Sequence, residues 1–229
     1  MEDAAWAERA ALTPAAGLMV MESFDRYAAE YDRWYDENHF AYTSEVQALR
    51  AAIPKGKQGV EIGVGTGRFA SAFGIRLGIE PSAPMAQIAR RRGIEVYEAK
   101  AEDLPYEDNA FGFVLMVAAL CFVAAPQKAL REARRVLKPG GRLVLGIIDK
   151  NSTAGKTYWR ARKTGRFYKG ARLHSVGRVS GWLKTLGFSG LKVSQTVFTP
   201  PGEMKELQPA REGHGDGLFV VIAGTKRIN

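Results

Sequence analysis

Apolar and aromatic residues recur at helical spacing between residues 24 and 51, where Phe24, Tyr27, Tyr31, Trp34, Tyr35, Phe40 and Tyr42 mark an aromatic stripe. Pro54 and Gly56 end that segment. The period then changes. Apolar runs of strand length fall at 58–62, 75–79, 94–98, 113–117 and 142–148, with helical patterns at 68–73, 84–92 and 125–137. Lys138-Pro139-Gly140-Gly141 reads as a sharp turn between the last helix and strand. Beyond residue 149 the pattern loosens. A helix is expected over 175–186, with Ser175 as N-cap and Gly187 past its end, and strands over 191–198 and 218–224 complete a set of seven. Strands alternating with helices predict a doubly wound α/β sheet, mostly parallel, with helices on both faces and right-handed crossovers. Ligands of such sheets bind beyond the C-terminal strand ends.

The expected organisation is one domain over 24–229, behind a flexible extension over 1–23. Residues 24–53 read as an N-terminal cap helix. The basic and aromatic stretch 150–172 reads as a lid or inserted helix; it carries Tyr158, Trp159, Phe167 and Tyr168 among Lys150, Lys156, Arg160, Arg162, Lys163, Arg166, Lys169 and Arg172. The chain has 229 residues, enough for one well-buried core. Its one cysteine, Cys121, excludes an internal disulfide and a cysteine-based zinc site, and fits a reducing cytosol. No metal is expected. A net charge of +9 raises the prospect of anionic partners, although Arg90–Arg92 and Arg131, Arg134 and Arg135 fall on amphipathic helices whose solvated faces account for them. The longest apolar run, 111–125, is shorter than the roughly 18–20 residues a bilayer requires. Glu2, Asp3 and Glu8 stand where a signal peptide has basic residues. A cytoplasmic protein without a membrane partner is therefore expected.

Candidate chemistry begins at Val60-Glu61-Ile62-Gly63-Val64-Gly65-Thr66-Gly67, a glycine-rich turn closing the first strand. Glycines there let backbone approach a ligand closely. Arg68 stands where the dinucleotide fingerprint requires its third glycine, and no Gly-Lys-Ser/Thr of a phosphate loop follows. Glu80 ends the second strand, where a carboxylate either meets a ribose edge or caps the following helix.

These segments, with Gly78-Ile79-Glu80-Pro81-Ser82, Ala101-Glu102-Asp103-Leu104-Pro105 and Leu130-Arg131-Glu132-Ala133-Arg134-Arg135-Val136-Leu137-Lys138-Pro139-Gly140-Gly141, resemble the class I S-adenosylmethionine-dependent methyltransferases over roughly residues 24–225. The closest branch includes the quinone-biosynthesis methyltransferases. The resemblance implies a Rossmann-like sheet with an antiparallel last strand, S-adenosylmethionine as cofactor and S-adenosylhomocysteine as product. It places Gly63 and Gly65 under the methionine moiety, Glu61 at its ammonium, Glu80 on the ribose hydroxyls and Met85 against adenine. It places Ala101 and Glu102 along the adenine edge and the Val117 backbone beside the methionine, with Tyr27 or Tyr31 closing over the cofactor. The sequence departs from the family in having Lys100 where an aspartate often bonds the adenine amino group.

The reaction implied is in-line methyl transfer to a small-molecule acceptor, for which no general base is mandatory. Tyr35, His39, Tyr158, Tyr168 and Glu203 are candidate lining residues. The basic 150–172 stretch suggests an anionic acceptor or serves solubility. A nucleic-acid methyltransferase and a non-catalytic cofactor-binding protein remain alternatives. Val117-Ala118-Ala119-Leu120 stands where enzymes acting on exocyclic base amines carry an Asn-Pro-Pro-Tyr type motif. The acceptor atom and oligomeric state are not legible in the sequence.

Overall fold

The computed structural model describes residues 14–162, 165, 167–168 and 170–228, with side chains from residue 22 onward except at 161 and 162. Residues 1–13 of the expected extension, and Lys163, Arg166 and Lys169 of the basic stretch, lie outside the described residues. The elements are α1 (Pro14–Glu37), α2 (His39–Ala52), β1 (Gly59–Ile62), α3 (Arg68–Phe73), β2 (Leu77–Ile79), α4 (Ala83–Arg91), β3 (Glu95–Tyr97), β4 (Phe111–Val117), α5 (Pro126–Val136), β5 (Leu137–Ile148), α6 (Thr153–Arg162), α7 (Val176–Thr185), β6 (Phe188–Thr196), β7 (Arg211–Glu212) and β8 (Phe219–Lys226).

They form one sheet in the order β3-β2-β1-β4-β5-β8-β6-β7. The strands β1 to β5 pair in parallel, whereas β8 runs antiparallel between β5 and β6. The eighth strand, beyond the seven expected, is the two-residue β7, which pairs with Ser194 and Gln195. Its two exposed residues leave no apolar period to read.

Alternation divides the core. Phe113, Leu115 and Val117 face one layer with Ala48, Leu49 and Phe69, and Val114 and Met116 face the other with Leu130, Val136 and Leu183. Each large side chain buried this way contributes roughly 1.5–3 kcal/mol. The α5–β5 junction differs from expectation. The strand already begins at Leu137, and its register jumps from Phe111↔Leu137 to Phe113↔Arg142. The Lys-Pro-Gly-Gly segment is thus a bulge within the strand. Gly140 has φ +72, and a Cβ on Gly141 would lie 2.8 Å from the Lys138 carbonyl.

The segment expected as one helix over 24–51 is two. It breaks at Asn38, and α1 is kinked at Tyr27, whose φ of −123 and ψ of 25 are non-helical. The N-cap expectation for α7 holds, with the Ser175 hydroxyl accepting from the Arg178 amide at 3.4 Å. β6 closes before Val197, whose φ of +60 ends the strand earlier than the apolar pattern does.

Candidate functional site

The C-terminal ends of β1, β2 and β4 converge on the glycine-rich turn. The Gly63 and Val64 amides both donate to the Ile79 carbonyl, at 2.8 and 2.9 Å, locking the turn to β2. Gly63 has φ +72, and a Cβ there would lie 2.5 Å from the Ala119 Cβ. Glycine is therefore demanded by the close approach of the segment after β4. The Gly65 amide donates to Glu80 Oε2 at 2.9 Å, and the Ser82 amide to Oε1 at 3.0 Å. Burial pushes the Glu80 carboxyl up to about 7, against the lowering effect of these two bonds. Glu61 is 1% exposed. The Ala70 amide donates to its carboxylate, but Oε2 has no partner among the described residues, and burial holds its pKa well above the usual range.

Helix α1 is fastened across this turn. Arg68 bonds both oxygens of Asp32, at 2.9 Å each, and both of Asp36, at 2.6 and 2.7 Å. Arg92 joins the cluster through Asp32 at 2.9 Å and the Thr66 carbonyl at 2.7 Å. Burial alone would raise the Asp32 carboxyl, but hydrogen bonds from Arg68, Arg92 and Thr66 outweigh it and hold it well below the usual range. Nearer the middle of α1, the Ser82 hydroxyl donates to Asp25 at 2.6 Å. In the sequence Arg68 serves only to break the dinucleotide fingerprint. The signal for its structural role is the Asp32/Asp36 pair, spaced i, i+4 along one helix face.

Met85 is buried beneath Phe24 and Ala28 of α1. Ala101 is partly buried, and Glu102 accepts from the Ala125 amide at 3.0 Å, tying the 101–105 loop to the start of α5. Arg135 holds the same loop by the Leu104 and Tyr106 carbonyls, at 3.0 and 2.7 Å, while Glu132 accepts from the Leu104 amide at 2.9 Å. Lys100 is exposed. Val117 ends β4 against Gly146, and Ala118 follows with φ +49. The ring of Tyr27 meets that of Phe167 edge-on, with centroids 6.4 Å apart.

The lining candidates divide. The Tyr35 hydroxyl bonds that of Tyr31 at 2.9 Å, and the Tyr158 hydroxyl bonds that of Tyr168 at 3.1 Å. The Tyr31 ring meets that of Phe167, the residue before Tyr168, with centroids 5.5 Å apart. His39 and Glu203 are exposed, the first with its ring against Phe40 and the second in a 3₁₀ turn over Pro201–Glu203. Cys121 donates to the Ala118 carbonyl at 3.2 Å, and burial pushes its thiol up to about 12, which suits packing rather than nucleophilic work. Pattern reading passed over Glu45, a buried carboxylate on the inner face of α2. Its only signal is an acid placed four residues after Ala41 and four before Leu49, on the apolar face.

No helix among the described residues is long and apolar enough to cross a membrane. The family model described as a methyltransferase domain matches residues 60–145. An uncharacterized protein of Methanocaldococcus jannaschii is 47% identical over 206 residues, covering 90% of this chain and 100% of its own length. A crystal structure from Thermotoga maritima, described as an S-adenosylmethionine-dependent methyltransferase and "possible histamine N-methyltransferase", is 47% identical with a TM-score of 0.87, covering 91% of this chain and 100% of that one. A ubiquinone/menaquinone biosynthesis C-methyltransferase of Idiomarina loihiensis is 32% identical over 158 residues, covering 59% of this chain and 61% of its own. With the glycine-rich turn, the carboxylate ending β2 and a full-length relative all pointing the same way, this chain belongs to the class I S-adenosylmethionine-dependent methyltransferases.

Proposed function

We propose that the chain methylates a small-molecule acceptor by in-line displacement, in a chamber roofed by α1 and the 150–172 segment of a single domain. The observation that carries this reading is the pair of carboxylates at the ends of β1 and β2. Glu61 keeps a buried oxygen without a partner, which an ammonium group satisfies, and Glu80 is held in place by two backbone amides. The residues therefore fit the cofactor. Glu61 would receive its ammonium and Glu80 its ribose hydroxyls. Gly63, Gly65 and the Val117 backbone would border the methionine part, and Met85, Ala101 and Glu102 the adenine, with Tyr27 above.

When bound, the cofactor supplies a methyl group activated by a cationic sulfur. The protein's share is alignment and exclusion of water. The Asp32–Arg68–Arg92 cluster supports both by pinning α1 over the turn. Tyr35 on α1, with Tyr158 and Tyr168, would border the acceptor in this reading. A cytoplasmic location is part of the same proposal.

Calorimetric titration with S-adenosylmethionine and S-adenosylhomocysteine tests it. Micromolar-range binding by the wild type, lost in Glu80→Ala, is expected. Absence of binding to cofactor-free, folded protein would refute the site assignment.

A further inference from the structure

A cleft of about 440 Å³ opens at the end of the sheet opposite the glycine-rich turn, within the roughly 300–1,000 Å³ of small-molecule sites. It is bounded by the last turn of α2, the segment leading into β1, the end of α3 and the residues entering β2. Strands β1 and β2 are parallel. The glycine-rich turn and Glu80 follow their C-terminal ends, whereas Gln58, Gly59, Arg76 and Leu77 of the cleft stand at their N-terminal ends. The four residues of β1 span roughly 13 Å, so the two places are separate. The floor of the cleft is apolar. Ile53, Pro54, Phe73 and Leu77 are only partly buried there. Phe113 closes the back, its ring so close over Gly59 that a Cβ there would collide with it.

The rim is cationic. Arg50, Lys55, Lys57 and Arg76 line it, and residues 46–60 and 62–79 contain neither Asp nor Glu. Among the described residues, Lys55, Lys57 and Arg76 have no acidic partner. Like charges around one recess repel each other, and a bound anion relieves that repulsion. Arg50 is already oriented. Its Nη2 donates to the Ala72 carbonyl at 2.8 Å, and its guanidinium lies over the Phe73 ring, 5.2 Å from the centroid, which leaves further N–H groups for an anion. The stem of Lys57 is seated against Gly112, where a Cβ would stand 2.9 Å from that of Lys57. We propose that this cleft binds a small organic phosphate, with its apolar body on Phe73 and Leu77 and its phosphate among Arg50, Lys57 and Arg76. A phosphate monoester carries close to two negative charges near neutral pH, and so answers several cations better than a carboxylate or a sulfate ester. The apolar floor favours an organic phosphate over the inorganic ion. The recess favours a small ligand over a long polyanion, which requires a broad cationic face.

The experiment sets an organic phosphate against its isosteres. The protein, with S-adenosylhomocysteine present to fill the opposite site, is titrated calorimetrically with 1-naphthyl phosphate, 1-naphthyl sulfate, 1-naphthol, inorganic phosphate and a short oligouridylate. 1-Naphthyl phosphate should bind about tenfold or more tightly than the sulfate, the naphthol and inorganic phosphate. The double variant Lys57→Gln/Arg76→Gln should weaken it by about tenfold or more, and Arg76→Gln alone by part of that. The charge-matched Arg131→Gln/Lys138→Gln, on α5 and β5, should leave it unchanged. All four positions are exposed, so the variants should keep the wild-type melting temperature and S-adenosylhomocysteine affinity. The comparison between the two double variants decides the site whether or not the cofactor assignment holds. Equal binding of 1-naphthyl phosphate and 1-naphthol, binding that survives the cleft substitutions, or an equal loss in both double variants would overturn the proposal. Tighter binding of the oligouridylate, lost in the cleft variant alone, would overturn it in favour of a nucleic-acid surface.

Discussion

Arg68 grips Asp32 with two parallel hydrogen bonds, Nε to Oδ1 and Nη2 to Oδ2, each 2.9 Å long, and so joins the first turn of α3 to α1. Both side chains are largely shielded, at 16% and 17% exposure, so water screens the pair less than an ordinary surface bridge. Arg68→Lys keeps the charge but loses the planar fork. It should destabilise the protein by about 1–2 kcal/mol and raise the dissociation constant for S-adenosylhomocysteine. Thermal unfolding and calorimetry check this, and limited proteolysis should show faster cleavage within α1.

Stability should fall as pH rises from about 6.5 to 8. A carboxyl group whose folded pKa is raised binds its proton more tightly in the native state. Its contribution is therefore complete below the unfolded value and is lost as pH climbs through the folded one. Burial raises Glu45 to about 8 and Glu80 to about 7, from 4.5. His174 acts in the opposite sense. Burial lowers it from 6.5 to about 4, so its contribution is present above 6.5 and lost as pH falls toward 4. Above 6.5 the carboxyl groups alone set the slope among these three. Denaturant unfolding of ligand-free protein between pH 6.5 and 8.5 should show the decline, and Glu45→Gln should flatten it.

Gly63→Ala should be severe. It places a Cβ 2.5 Å from that of Ala119 and imposes φ +72 on an alanine, at a combined cost of about 2–4 kcal/mol. Pairing it with Ala119→Gly removes the collision and leaves the backbone strain. The double variant should recover part of the melting temperature lost by Gly63→Ala, and a double-mutant cycle measures the share due to contact.

Arg135→Ala should free the 101–108 loop, since three of its bonds go to Leu104, Tyr106 and Asp108 on that loop. Amide hydrogen exchange over 101–108 should accelerate, with a stability loss of about 1–3 kcal/mol. If the loop borders adenine, as proposed, affinity for S-adenosylhomocysteine falls.

Much of the molecule was readable along the chain. The glycine-rich turn after β1, Glu80 at the end of β2 and the apolar runs of β4 and β5 are local patterns, because a buried parallel strand and a tight turn each impose residue choices within a few positions. The helix-to-strand alternation carried the fold, and Ser175 announced α7. Boundaries were less legible where special backbone conformations intervene, as at Val197, Tyr27 and the bulge around Gly140.

The sequence by itself determined the doubly wound sheet, which follows from short-range periodicity, and its resemblance to the methyltransferases implied the cofactor class and the acidic positions Glu61 and Glu80 proposed to hold it. Only the tertiary structure decided that Arg68 fastens α1 through Asp32, that Tyr35 pairs with Tyr31 and Tyr158 with Tyr168 while His39 and Glu203 stay exposed, and that Glu45 is buried. The reason is physical. Burial and pairing depend on residues tens of positions apart meeting in space, and a charge on an apolar helix face reveals its meaning only when its neighbours are known.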